Sequence, residues 1–164
     1  MTILIIIAAV LVLLFVGGTL ELARFTQGLS QRSLQRYVVS LSDVDLTTLM
    51  QVGAGKAIPL ILTQVVPNPQ TSPLSVARNY RGLLKELFDE PPSHLSLAGY
   101  LAGRYASQVL KRIEGPMSRA TVLAEFQKRP AIDLGGYAID FHDRLRGSLF
   151  VTQTLLTADG RLVG

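Results

Sequence analysis

The chain opens with an uncharged apolar run, ILIIIAAVLVLLFV from Ile3 to Val16, and closes it with Gly17-Gly18; no charged residue precedes Glu21. Three structures can use such a run. A membrane helix needs about 18 or more apolar residues, and this run is shorter. A signal peptide needs a positively charged start and an A-x-A-like cleavage site, and neither is recognisable here. A strand buried on both faces needs only about 4–8 apolar, β-branched-rich residues bounded by a turn signal. Val10–Val16 before the glycine pair suits that best, with the first nine residues longer than a strand requires.

Composition narrows the rest. Apolar residues make up 48% and charged residues 17% of 164 positions, which excludes disorder and implies much buried surface. There is no Cys, so a disulfide scaffold, a Cys-ligated metal and a Cys nucleophile are excluded. The net charge of +4 is spread in ones and twos, with Lys111-Arg112, Lys128-Arg129 and Arg144/Arg146 the densest groups. No aromatic-plus-basic module accompanies them, so no nucleic-acid partner is expected.

Strand and helix patterns alternate after the glycine pair. Thr19 is placed to cap a helix, with Glu21 in its first turn and Leu22, Phe25 and Leu29 on one face. Tyr37–Val39 reads as a second strand. Ser42 or Asp43 caps a short helix carrying Leu46, Leu49 and Met50, ended by Gly53 and Gly55. Ile58–Val66 is a third strand, with Pro59 near its start. This β-α-β-α-β order predicts a parallel α/β sheet. Pro67-Asn68-Pro69 then interrupts it as a stiff extended segment. Three helices follow. The first is capped at Ser72-Pro73 and carries Leu74, Ala77, Leu84, Leu87 and Phe88. The second runs over about 96–113, with small residues Ala98, Gly99, Ala102, Gly103 and Ala106 that permit close packing. The third is capped at Ser118 and ends before Pro130. The tail predicts strands at Tyr137–Phe141 and Leu149–Leu156, and a hairpin through Ala158-Asp159-Gly160 to Arg161-Leu162-Val163.

Catalytic patterns fail on inspection. Gly53-Ala54-Gly55-Lys56 is not a phosphate loop, because Met50 stands where the first Gly belongs and Ala57 where Ser or Thr belongs. His94 lies in a loop beside Pro91-Pro92. Asp140-His142-Asp143 reads as a solvated turn rather than a metal cluster. There is no G-x-S-x-G elbow. No enzyme activity, metal or cofactor is expected. Gly17-Gly18 at a helix N-terminus could hold an anion, or could simply turn the chain.

Four stretches together resemble the C-terminal part of the type I periplasmic solute-binding proteins, the leucine/isoleucine/valine-binding-like receptors of ABC transporters. They are VLLFVGGTLELARFTQGL, IPLILTQVVPNP with SPLSVARNYRGLLKEL, SHLSLAGYLAGRYASQVLKRI, and IDLGGYAIDFHDRLRGSLFVTQTLLTADGRLVG. The resemblance implies an incomplete type I binding-protein fold: parts of two α/β lobes, a parallel sheet and a C-terminal β-hairpin. It places 1–66 in the second lobe, 67–130 as a crossing segment with three first-lobe helices, and 131–164 back in the second lobe. It implies a solute receptor for an amino acid or similar small polar ligand, such as a branched-chain amino acid. That receptor would be extracytoplasmic and would deliver its ligand to the membrane subunits of an ABC transporter. Ligands in open α/β sheets bind beyond the carboxyl ends of strands. The candidate contacts are therefore Gly18 and Thr19 after the first strand and Ser42 and Asp43 after the second, with Gly17 and Ser40 beside them. Asp43 is suited to a ligand ammonium, or to capping a helix. Family members are more than twice as long, so the chain reads as a fragment or reduced relative, with apolar faces that favour self-association. The alternative is a membrane-anchored sensory or structural module of the same fold, held by residues 1–16. A weaker third reading is an enzyme using the Gly17-Gly18 turn for a nucleotide.

Overall fold

The computed structural model describes residues 11–29, 36–52, 58–87, 90–141, 145–157 and 161–163. Their elements, in chain order, are β1 Leu11–Phe15, α1 Thr19–Leu29, β2 Arg36–Ser40, α2 Leu46–Gln51, β3 Leu60–Gln64, α3 Ser75–Leu87, α4 His94–Leu110, α5 Arg119–Gln127, β4 Ile132–Asp133, β5 Ala138–Ile139, β6 Thr152–Leu156 and β7 Leu162–Val163. They form two compact units. The first comprises 1–64 and 152–164, the second 65–151.

The first unit is built on a five-stranded sheet of order β1-β2-β3-β6-β7. β1, β2 and β3 are parallel, with Leu14 opposite Val39 and Val39 opposite Ile61. β6 runs antiparallel to β3, and β7 returns antiparallel to β6. Parallel neighbours need a crossover between them, and α1 and α2 supply it. The strand pattern has a two-residue period. Val38, Leu60, Leu62 and Leu156 therefore face one way and close over Leu22 of α1 and Leu49 of α2. Each such fully buried leucine contributes about 1.5–3 kcal/mol. The uncharged start of the chain is thus a strand where it is described, at Leu11–Phe15. The part of the run before Leu11 lies outside the described residues, as do Gly53, Gly55 and the expected turn at Ala158–Gly160.

Two helical details differ from expectation. The fully buried residues of α1 are Leu22, Ala23 and Thr26; of the expected face Leu22, Phe25 and Leu29, Leu22 is buried and Leu29 packs half-buried against the same core, and Phe25 alone departs from it. Phe25 instead meets the ring of Phe15 at 5.3 Å while remaining partly exposed. Leu49 of α2 is buried but Met50 is exposed.

The second unit is mostly helical. Val76, Tyr80 and Leu84 of α3 pack against Leu97, Leu101, Tyr105 and Val109 of α4, a stripe spaced by four residues. Leu134, Tyr137 and Ile139 complete this core. Ser93 caps α4 and Ser118 caps α5 with a reciprocal Thr121 contact. His94 is therefore the first residue of a helix, not a loop residue, and burial pushes its imidazole pKa below the usual value. Ser72-Pro73 does not start α3. The helix begins at Ser75, and the Ser72 hydroxyl accepts from the Leu74 amide at 3.3 Å.

Residues 131–151, expected with the returning strands, belong to this second unit. Their short β4–β5 ladder pairs Ile132 with Ile139 and Asp133 with Ala138. Gly135 and Gly136 make its turn at φ +104° and +90°, where side chains are strained. The Gly135 carbonyl then accepts from the Val76 amide at 3.2 Å and the Ser75 hydroxyl at 3.0 Å, capping α3 from 60 residues away.

Candidate ligand-binding site

Because β1, β2 and β3 are parallel, their carboxyl ends lie along one rim of the first unit. Residues 16–19 follow β1 and residues 41–45 follow β2. One hydrogen bond joins the two loops: the Asp45 amide donates to the Thr19 hydroxyl at 2.9 Å. The ends of β2 and β3 are tied by the Thr63 hydroxyl, which donates to the Ser40 carbonyl at 3.1 Å. The topology thus brings the loops of Gly18, Thr19, Ser42 and Asp43 to one rim, although they are more than 20 residues apart in sequence.

The roles within that rim differ from expectation. Thr19 is inside α1 rather than its cap; the first helical bond runs from the Leu22 amide to the Gly18 carbonyl at 3.0 Å. The cap of α2 is neither Ser42 nor Asp43 but Asp45. Its carboxylate accepts from the Thr48 amide at 2.8 Å and the Thr48 hydroxyl at 2.6 Å. Asp43 is left exposed and Ser42 half-buried. Ser40 does not face solvent at the rim. It is 1% exposed, and its buried hydroxyl has no hydrogen-bond partner among the described residues. Its position follows from the period: it lies on the same side of β2 as Val38.

Sequence reasoning missed Asp45 and underestimated Glu21. The signal for Asp45 was present, an Asp directly before apolar Leu46 with Thr48 three residues on. Glu21 folds back over the start of α1, so that a methyl group at Gly18 would meet its carboxylate oxygen at 2.7 Å. A carboxylate there satisfies the positive end of the helix. Glu21 thus places a carboxylate of the chain itself beside the anion place at Gly17-Gly18. Residues 16–19 and 41–45 carry no Lys or Arg. With Glu21, Asp43 and Asp45 nearby in sequence, the rim is acidic.

The second unit has a different concavity, a groove of about 600 Å³. Ala98, Leu101, Ala102 and Ala106 of α4 line it with Phe126 and Phe141. The small residues of α4 are thus not buried under a neighbouring backbone among the described residues: Ala102, Gly99 and Gly103 are exposed. Two polar groups near the groove are already used. The Tyr137 hydroxyl donates to the Val65 carbonyl at 2.8 Å and the Tyr105 hydroxyl to the Pro130 carbonyl at 3.2 Å. Arg129 is the one charged residue among the described residues that line the groove, and the remaining wall is apolar, which suits an apolar ligand surface better than a small polar solute. Among the described residues no group of three or more His, Asp or Glu is placed to hold a metal ion. Among them too, no helix is long and apolar enough to cross a membrane. His142 and Asp143 lie outside the described residues.

No family model matches the sequence, and no curated protein matches it. Solved structures do. An extracellular ligand-binding receptor from Verminephrobacter eiseniae superposes with a TM-score of 0.79 at 23% identity, over 93% of this chain and 44% of its own. A possible leucine/isoleucine/valine-binding protein from Rhodopirellula baltica gives 0.78 at 23% identity, over 93% and 42%. A leucine-binding protein from Thermotoga maritima gives 0.69 at 21% identity, over 93% and 43%. The chain spans less than half the length of each. The parallel-dominated α/β sheet, the helical unit and these superpositions agree: the chain carries part of the type I periplasmic-binding-protein fold.

Proposed function

We propose that the chain is part of an extracytoplasmic solute-binding receptor, and that its first unit supplies the contacts to the ammonium end of an amino-acid-like ligand. The acidic rim carries this reading. Asp43 is exposed, has been relieved of helix capping by Asp45, and stands at the carboxyl end of β2, where open α/β sheets bind ligands. Glu21 at the start of α1 rules against a ligand carboxylate at Gly18 and favours a cation nearby. Thr19 and Ser42 add hydroxyls on either side. Delivery to the membrane subunits of an ABC transporter is the corresponding role, implied by the family resemblance of the sequence, while the solved receptors of the same fold support the solute-binding part of the reading. The two compact units then correspond to parts of the two lobes.

Amide NMR of the full chain titrated with single L-amino acids at millimolar concentration tests this. The expected result is a set of shifts at Gly17–Thr19 and Ser42–Asp43, strongest for branched-chain side chains. Asp43→Asn should weaken the response about tenfold, as expected for loss of one charge-assisted contact. Shifts confined to other regions, or an unchanged titration in Asp43→Asn, would overturn the assignment.

A further inference from the structure

The groove of the second unit has a make-up that the rim of the first unit does not account for. It holds about 600 Å³, within the range of cavities that enclose small organic molecules. Its floor follows α4. Ala98, Ala102 and Ala106 stand on successive turns of that helix, which opens a trough over about 12 Å. Phe126 and Phe141 add aromatic wall, and Phe141 is held edge-on to Tyr105 at 5.7 Å. Both phenylalanines are only half-buried, so aromatic surface is left in water. Covering it with an apolar body is favourable.

One cation interrupts this lining. Arg129 is exposed, and its guanidinium has no ion-pair partner among the described residues. Its neighbour Lys128 is matched by Glu125 of α5 at 2.6 Å. Among the described residues no Asp or Glu lines the groove. The Tyr105 and Tyr137 hydroxyls are committed to the Pro130 and Val65 carbonyls, which leaves recognition of a charge to Arg129. The backbone at Arg129 is unusual as well. Its φ is +48°, and it is the one non-glycine residue with positive φ among the described residues. Glycine would take that place without strain. The chain keeps a guanidinium there instead, and strained positions that persist tend to cluster at ligand sites.

We propose that this groove binds a small apolar monocarboxylate, such as a medium-chain fatty acid, with its carbon chain along α4 and its carboxylate on Arg129. A planar guanidinium meets a carboxylate through two parallel hydrogen bonds. The apolar wall takes the rest of the molecule. An ammonium finds no carboxylate here, which sets this site apart from the acidic rim. Binding in the groove is independent of the ligand of the first unit.

Titration of the full chain with decanoate, followed by calorimetry and amide NMR, tests this. Decanol and decylammonium carry the same chain with a different head. Shifts are expected at Ala98, Ala102, Ala106 and Ile139, with Gly17–Thr19 and Ser42–Asp43 unmoved. Decanoate should bind on the order of tenfold more tightly than decanol, and decylammonium more weakly than either. Arg129→Gly relaxes the backbone at φ +48°, so it should melt no lower than the parent chain. It should nevertheless reduce decanoate binding to the level of decanol. Ala102→Leu, at an exposed helical position, should narrow the trough and weaken all three. Equal affinity for decanoate and decanol, or undiminished decanoate binding by Arg129→Gly, would mark a purely apolar seat for polypeptide and overturn the proposal. Shifts confined to the first unit, or uptake that light scattering shows to be self-association, would overturn it too.

Discussion

The two compact units are held together by different physics. In the first, a backbone ladder fixes Val38, Leu60, Leu62 and Leu156 in register, and aliphatic contacts to Leu22 and Leu49 supply the core. In the second, side chains reach back to main chain again and again. Arg81 donates to the Pro69 and Ser72 carbonyls, both at 3.1 Å, and Asn68 accepts from the Gln70 and Thr71 amides. The Tyr80 hydroxyl bonds to the Ser96 hydroxyl and receives the Ser93 amide, which pins the entry to α4. Asp133 accepts from Gly135 and Gly136 at 2.7 and 2.9 Å. Regular strands satisfy their own backbone, whereas irregular connections must borrow side chains to do so. The unit richer in loops therefore depends more on single polar residues.

This contrast can be broken by substitution. Leu60→Ala, which deletes a fully buried side chain at the centre of the first sheet, should cost about 2–5 kcal/mol in urea unfolding. Amide exchange should rise in β2 and β3 while α4 keeps its protection. Equal loss of protection in both units would show one cooperative body rather than two. A smaller effect is expected from Tyr137→Phe, which keeps the ring against Phe150 at 5.9 Å and removes the bond to the Val65 carbonyl. The expected cost is about 0.5–1.5 kcal/mol, confined to the second unit. A loss as large as that of Leu60→Ala would mean that polar ties and aliphatic burial are not separable in this way.

The smallest effect is a pH dependence that belongs to the second unit. Burial holds His94 below its ordinary 6.5, so the folded state favours the neutral ring. Its contribution is complete above 6.5 and is lost as pH falls through the folded value. The Gly136 and Gly135 amides hold the Asp133 carboxyl below 3.8. That contribution is complete above 3.8 and is lost on further acidification. Thermal melts over pH 7 to 2 should show two weak declines in the second unit. His94→Gln should remove the upper one and Asp133→Asn the lower. A decline that survives both changes would place the acid sensitivity elsewhere.

The same contrast governs what the sequence revealed. The strand pattern, the parallel α/β class and the cap at Ser118 follow from local period and turn chemistry, whereas the cap of α4 at Ser93 did not emerge and its first residue, His94, read as loop. The place of Phe25 on α1 did not emerge either, because it has the right spacing but its ring lies along Phe15 instead of in the core. The start of α3 did not, because its cap is the carbonyl of Gly135, which no local window contains. At the rim, the glycine pair and the two loops were legible. The division of labour between Asp43 and Asp45 was missed although its signal was there, because Ser42 and Asp43 offer competing caps within the same turn.

The interrupted course of the first unit has a consequence for synthesis. β3 acquires its outer neighbour only at Thr152, after the whole second unit has been made. Until then β3 has no outer neighbour among the described residues. Closing that side requires a loop of roughly 90 residues, an entropic delay that grows only slowly with length but cannot be avoided. The last dozen residues therefore act as the closing seam of the first unit. Removing them should leave a chain that collapses on the ribosome yet never finishes folding, and whose β3 edge is open to pairing with its neighbours.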